Sequence, residues 1–201
     1  TQSTTSMVSE VSICNQALSW LGQNAILSLD DESAAAEWMN NNYPFLRDSV
    51  LEERMWTFAA ARYTSETADM SEWGDQYKHS IPLVWLSVFR CYYDVSGNDP
   101  SCWSTSEGWV REGEFVLAKD AKVYLWGIQR VVDTGQFSPL FTQALAARLA
   151  ADAAIPFTSD RKIQADMWAL YQAKLADATT RDGQQGGNEQ FRSSALINVR
   201  R

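Results

Sequence analysis

Apolar side chains recur at helical spacing near the start of the chain. Between Met7 and Leu21 they follow one another at steps of four, three, four and three residues, which is the period of one buried helix face. Gly22 is a residue typical of a helix C-terminus. Ser33 offers an oxygen suited to the N-terminus of a second helix. The sequence therefore predicts two N-terminal helices.

A proline interrupts the second helical pattern. Apolar residues continue at helical spacing to about Met55, but Pro44 lies among them. Proline removes one backbone donor and clashes with the preceding turn. We expect a kink or a break near Asn42.

The middle of the chain, from Trp56 to Val132, contains most of the nine tryptophans and many β-branched residues. This composition favours strands, with a hairpin turn at Glu112–Gly113. A polar stretch, Ser65–Ser80, reads as a loop. The expected strands are Trp56–Phe58, Leu83–Tyr93, the two arms of 109–117, and Val123–Val132.

Helical spacing returns after Ser138–Pro139, a typical helix start. Pro156 is expected to close this alanine-rich helix, and Ser159–Asp160 to cap the next one. The expected buried stripe of that last helix is Ile163, Met167, Leu170, Lys174 and Ala178.

The tail has the composition of a tethered arm. Gly183–Gly187 suits a flexible linker, and the residues after it include four sizeable apolar side chains and terminal arginines. A docking arm and a frayed end are both compatible with this pattern.

These patterns predict an α+β fold: a mainly α-helical bundle of about four helices, a small antiparallel β subdomain inserted in the middle, and an extended C-terminal arm. The expected segments are 1–55 (N-terminal helices), 56–134 (β-rich insertion), 135–182 (C-terminal helices) and 183–201 (linker and docking arm).

A formal net charge of −8 argues against gripping nucleic acid, because phosphate binding needs clustered Lys and Arg. An acidic wall is compatible with DNA sliding past. Cys14, Cys91 and Cys102 form no CxxC pair, so we expect reduced, buried thiols. No apolar run approaches the length of a membrane span, and the polar start predicts no signal peptide.

No motif for chemistry stands out. His79 is the single histidine, and its polar context predicts an ordinary surface side chain. Nucleotide-binding glycine loops and metal-ligand spacings are absent from the sequence. The adjacent acids Asp30–Glu32 and Glu52–Glu53 read as helix-capping and solubilising groups. We therefore expect no catalytic, cofactor-binding or metal-binding residues, and no enzyme activity.

The tryptophans leave one alternative open. Trp73, Trp85, Trp103, Trp109 and Trp126 are expected in the core and at subunit contacts. They could instead line a sugar platform. With a carboxylate pair as acid and base, that would make the chain a peptidoglycan hydrolase.

Two separated stretches, about residues 8–60 and 124–180, contain residues that match a known family in the same order. These residues are Ile13–Leu18, Leu21–Gly22, Ile26, Ser28–Asp31, Ala34–Ala35, Tyr43–Pro44, Arg47–Asp48, Leu51, Trp56–Ala59, Arg130–Val131, Phe137–Phe141 and Ala144–Ala150. Through them the chain resembles the tail tubular protein A family of short-tailed bacteriophages.

The resemblance implies a structural head-to-tail adaptor in the virion, assembled in the host cytoplasm. Such proteins form a dodecameric homo-oligomeric ring beneath the portal protein, continue the DNA channel without specific DNA binding, and present a platform for the nozzle, tail tubular protein B. A cell-wall hydrolase activity has been proposed for some members, but no residue here matches a hydrolase motif. For the portal contact we expect the residues of the tail: Phe191, Arg192, Leu196, Ile197, Val199, Arg200 and Arg201.

Overall fold

The computed structural model of the chain describes residues 8–72, 74, 76–93, 104–105 and 108–185. Four helices surround an alanine-rich centre, and two small antiparallel sheets are inserted between the second and third helix. The predicted α+β class is therefore confirmed.

Helix α1 spans Glu10–Trp20 and is closed by specific bonds at both ends. A reciprocal pair of bonds joins Ser9 and Ser12 at its start, with the Ser12 amide donating to the Ser9 hydroxyl over 3.1 Å. At its end Gly22 has φ of 68°, and the Gln23 amide donates to the Leu18 carbonyl. This is a Schellman arrangement, and it confirms Gly22 as the stop.

Helix α2 spans Ala34–Glu53 and starts at Ser33, whose hydroxyl accepts from the Ala36 amide. The predicted break near Asn42 is wrong, because the helix continues through Pro44. Pro44 is exposed, so water can satisfy the carbonyl that it leaves unpaired. The buried neighbours Tyr43 and Arg47 hold the chain on both sides.

The strands of the described residues form two antiparallel sheets. The strands are β1 (Ala60–Glu66), β2 (Tyr77–Ser80), β3 (Trp85–Tyr93), β4 (Ser104–Thr105), β5 (Val110–Glu112), β6 (Phe115–Ala118) and β7 (Lys122–Gln129). The larger sheet has the order β1-β7-β3-β4, and the smaller sheet has the order β2-β6-β5.

Two expectations in this region need correction. Trp56–Phe58 is a turn and not a strand, since the Ala59 amide donates to the Trp56 carbonyl and the indole of Trp56 donates to Val50. The polar stretch Ser65–Ser80 is not one loop, because it contains the end of β1 and all of β2. Polar composition hid β2, which has a buried residue only at His79.

The predicted hairpin is confirmed, but its turn lies one residue later than expected, at 113–114 and not at 112–113. β5 and β6 pair through Glu112 and Phe115, and the turn between them begins at Gly113, with φ of 58°. A positive φ at the first turn position favours glycine.

Helix α3 spans Pro139–Thr158 and starts at Ser138, as expected. Pro156 does not close it. The Thr158 hydroxyl donates to the Ala154 carbonyl and the Ser159 amide to Ile155, which keep the last turn closed up to Ser159 (φ 53°).

Helix α4 spans Arg161–Gln185 and starts after Asp160, whose carboxylate accepts from the Lys162 amide. Its most buried residues are Tyr171, Leu175 and Ala178, so the stripe passes through Leu175 and not Lys174. The helix also enters the predicted linker, through residue 185. One glycine costs about 1 kcal/mol relative to alanine and does not by itself end a helix.

The helices and the sheets have separate cores. The larger core joins α1, α2, α3 and α4, with α3 contributing a row of fully buried alanines. The smaller core joins the facing sides of the two sheets, through Val123, Leu125 and Cys91 on one and Val116 and Ala118 on the other. We call these the helical body and the β unit.

Candidate functional site

The expected portal-contact residues lie outside the described residues, since all of them follow Gln185. The structure instead describes the base from which this arm starts. Helix α4 packs against α3 as far as Leu175 and Ala178, which are buried. The Lys174 ammonium donates to the Gln143 side chain on α3 over 2.9 Å. Helix α4 is therefore fixed on the helical body as far as Ala178.

A second set of bonds holds α4 to the end of α2. The Tyr171 hydroxyl donates to the Glu53 carboxylate. Burial, together with this bond, raises the pKa of Tyr171 above its ordinary value. A separate contact joins α4 to α3. The Arg148 guanidinium on α3 lies 4.5 Å from the centre of the Trp168 ring on α4, and it also pairs with Asp152 on α3 at 3.0 Å. Glu53 thus has a structural partner.

The single histidine is buried, so its predicted place on the surface is wrong. His79 is fully buried between β1, β2 and the turn before β7. Its Nε2 lies 2.8 Å from the Asp120 carbonyl, which only accepts, so Nε2 carries the proton. Its Nδ1, 3.1 Å from the Ser65 oxygen, then accepts from that hydroxyl. Burial lowers the pKa of His79, against the opposing effect of the bond to Asp120.

This pair has the atoms of a nucleophile and a base, but the geometry favours a structural role. Ser65 is only 7% exposed, and Asp120 meets the ring through its backbone and not its carboxylate. A catalytic serine needs access to substrate and a base oriented for turnover. Ser65 itself contributes to the lining of a cavity of about 370 Å³, together with the charged residues Glu66, Asp69 and Lys78.

The two acidic groups lie at opposite ends of α2. In the first group, Asp31 accepts from the amides of Leu27 and Ser28 at 2.7 and 3.1 Å and shapes the α1–α2 loop. Glu53 belongs to the second group. Twenty helical residues separate the groups by about 30 Å. They do not face each other across one cleft.

The tryptophans divide between core and surface. Trp85 is buried and Trp109 packs against the β-unit core. Trp126 is half-buried on the outer face of the larger sheet. Trp73 and Trp103 lie outside the described residues. The core prediction is therefore confirmed for Trp85.

The outer face of the larger sheet carries a feature that the sequence reasoning missed. Arg62 on β1 and Arg90 on β3 both lie opposite Trp126 on β7. Their guanidinium carbons are 5.4 and 5.1 Å from the centre of the indole ring. We call Arg62, Trp126 and Arg90 the arginine–tryptophan row. Only the strand register brings these residues together, so no local pattern announces it.

The cysteines Cys14 and Cys91 are buried, as expected, whereas Cys102 lies outside the described residues. Burial, assisted by the charge of Glu10, raises the pKa of the Cys14 thiol to about 12. Such a thiol stays protonated and is a poor nucleophile. Within the described ranges, no cluster of three or more His, Cys, Asp or Glu could hold a metal ion.

Comparison with known proteins adds no relative. No family model matches the chain, and none of the curated proteins matches it. None of the helices in the described part is long and apolar enough to cross a membrane.

Proposed function

We propose that this chain is a structural head-to-tail adaptor of a short-tailed bacteriophage, a tail tubular protein A-like subunit of a ring between portal and tail nozzle. The observation that best supports the proposal is a contact between two distant parts of the chain. The two stretches that resemble the family, far apart in sequence, meet in one aromatic cluster. The centre of the Phe141 ring lies 5.0 Å from the ring centre of Trp56, 5.1 Å from that of Phe58 and 4.7 Å from that of Phe137.

Other residues of the resemblance also have defined structural tasks. The Asn15 side chain exchanges two hydrogen bonds with the backbone of Ile26, at 2.9 and 2.8 Å, and so fixes the loop after α1. Asp48 pairs with both Arg47 and Arg130, at 2.8 and 2.6 Å, and so joins α2 to the segment after β7. The resembling residues therefore fix the loop after α1 and join α2 to the segment that follows β7.

Exposed apolar side chains support an assembled role. Leu27 is 92% exposed, Leu83 81% and Phe45 76%. Single exposed apolar residues are common, but side chains this large and this open are suited to burial by neighbours in a ring.

The C-terminal arm is the proposed portal contact. Phe191, Leu196, Ile197 and Val199 would each contribute roughly 1.5–3 kcal/mol on full burial, less the cost of ordering the linker. Repetition around a ring multiplies the effect through avidity.

Deleting residues 188–201 tests the arm. The truncated chain retains α4 and is expected to keep the helical circular dichroism and melting temperature of the full chain, while its capture by purified portal rings falls to background. A matched pair sharpens the result. Leu196→Ser with Ile197→Ser should lose capture, whereas Ser193→Ala with Ser194→Ala should keep it. Undiminished capture of the truncated chain would contradict the proposal.

The alternative, a peptidoglycan hydrolase, predicts loss of turbidity when the full chain is added to purified peptidoglycan. The adaptor proposal predicts none beyond the buffer control.

A further inference from the structure

Charge is segregated along this chain. Residues 1–46 contain five acidic residues and no Lys, Arg or His. The strands carry five basic residues, Arg62, Lys78, Arg90, Arg111 and Lys122, against the two acids Glu66 and Glu112. Counted without the loops that connect them, the strands therefore carry a net positive charge, whereas residues 1–46 carry a net negative charge, in a chain of net charge −8.

Two of the five basic strand residues, Arg62 and Arg90, lie on one outward surface. The inner side of the larger sheet is covered by the smaller sheet, through Leu125 and Val123. The arginine–tryptophan row lies on the opposite side, and Arg62 is exposed. Among the described residues Arg62 forms no ion pair, only its contact with the Trp126 ring.

The negative charge is concentrated at the tip of the α1–α2 hairpin. There Asp30 and Glu32 are exposed and have no ion-pair partner in the part of the chain that the structure describes. Leu27, almost fully exposed, stands beside them. The tip thus presents an apolar side chain next to two carboxylates.

The two surfaces cannot meet within one subunit. Helix α2 runs from the tip to the β unit, and its twenty residues separate the two ends by about 30 Å. Complementary surfaces at different ends of identical subunits make a head-to-tail contact, which closes into a ring if the rotation permits.

We infer that the hairpin tip of one copy, with Leu27, Asp30 and Glu32, docks on the arginine–tryptophan row of the next copy. This inference rests on the proposed ring. It names the surfaces through which neighbouring subunits recognise each other.

A second copy fits this row better than nucleic acid does. Base stacking requires an open aromatic face. The guanidinium groups of Arg62 and Arg90, from the strands on either side of β7, both lie over the Trp126 ring and leave less of it open to a base.

Charge reversal on each surface tests the contact. Arg62→Glu in one variant, or Asp30→Lys with Glu32→Lys in another, places like charges together. Each should weaken association between copies by about tenfold or more, more strongly at low salt. The readout is the number of full-length copies bound per purified portal ring, from mass measurement and negative-stain images. Arg161→Glu, an exposed arginine at the start of α4, is the matched control and should leave rings complete.

Complementation separates recognition from misfolding. Mixing the two reversed variants pairs each altered surface with its opposite and should restore complete rings, as should all three substitutions in one chain. Complete rings with Arg62→Glu alone would overturn the contact and leave the adaptor proposal standing. Failure of the unmodified chain to form a ring on portal would overturn both. Binding of a labelled single-stranded oligonucleotide that Arg62→Glu abolishes would instead assign the row to nucleic acid.

Discussion

The helical body and the β unit are stabilised in different ways. The helical body is filled by apolar side chains, and its central helix α3 presents fully buried alanines that let neighbouring helices approach closely. The β unit has a smaller apolar core, and a histidine and a serine are buried beside it. The stability of the helical body thus depends mainly on close packing of apolar side chains. The stability of the β unit also depends on the hydrogen bonds of the buried pair His79 and Ser65.

This difference suggests that the two regions contribute differently to the stability of the protein. A buried polar pair contributes little net stability but is costly to disrupt. We therefore expect the helical body to supply most of the free energy of unfolding, and the β unit to respond more to local changes and to pH. Three predictions, from the largest effect to the smallest, test that contrast.

Trp56→Ala should have the largest effect, because its indole fills the core of the helical body. The ring is buried, packs against Phe141 and donates to the Val50 carbonyl. Its removal is expected to lower the free energy of unfolding by about 3–5 kcal/mol, measured by urea denaturation. Trp109→Ala, at a half-buried position of the β unit, should cost clearly less. Equal losses at the two positions would contradict the contrast.

Gly127→Ala should have a middle effect confined to the β unit. A Cβ at Gly127 would lie 2.8 Å from the Trp85 ring and would also meet the Ser87 carbonyl. Overpacking of this kind typically costs about 1–3 kcal/mol. Tryptophan fluorescence should report earlier unfolding, while helical circular dichroism at low denaturant stays unchanged. Alanine at Gly108, where a Cβ meets nothing but φ is 77°, is the control for backbone strain without a clash.

The smallest effect is a pH dependence from His79. Its pKa is lowered in the folded chain, so the unfolded chain binds more protons below the ordinary value of about 6.5. The contribution of His79 to stability is therefore fully present above pH 6.5. It is lost as the pH drops from there through the lower pKa of the folded chain. Melting temperatures of the native chain and of His79→Gln are measured from pH 5 to 8. Plotted against pH, the two sets should have different slopes below about pH 6.5. Parallel slopes would show that His79 does not contribute.

The sequence was most informative where structure is local. Periodicity located the four helices, and the stops and starts at Gly22, Ser33 and Ser138 rest on bonds between residues close in sequence. Proline was over-weighted at Pro44 and Pro156, since neither ends its helix. Buried neighbours in the first case and side-chain bonds in the second outweigh the lost donor.

The sheets were less predictable because their contacts are distant in sequence. His79 meets Ser65 and Asp120 only after β1, β2 and the β6–β7 turn are assembled. The arginine–tryptophan row likewise depends on register between three strands. The portal-contact residues lie beyond Gln185, and their role remains a prediction.

The most direct test of the adaptor proposal is negative-stain imaging of the purified full-length chain mixed with the portal protein of its phage. The account predicts a ring of this chain stacked coaxially on the portal, with the two channels aligned. Free monomers beside intact portal rings would contradict it.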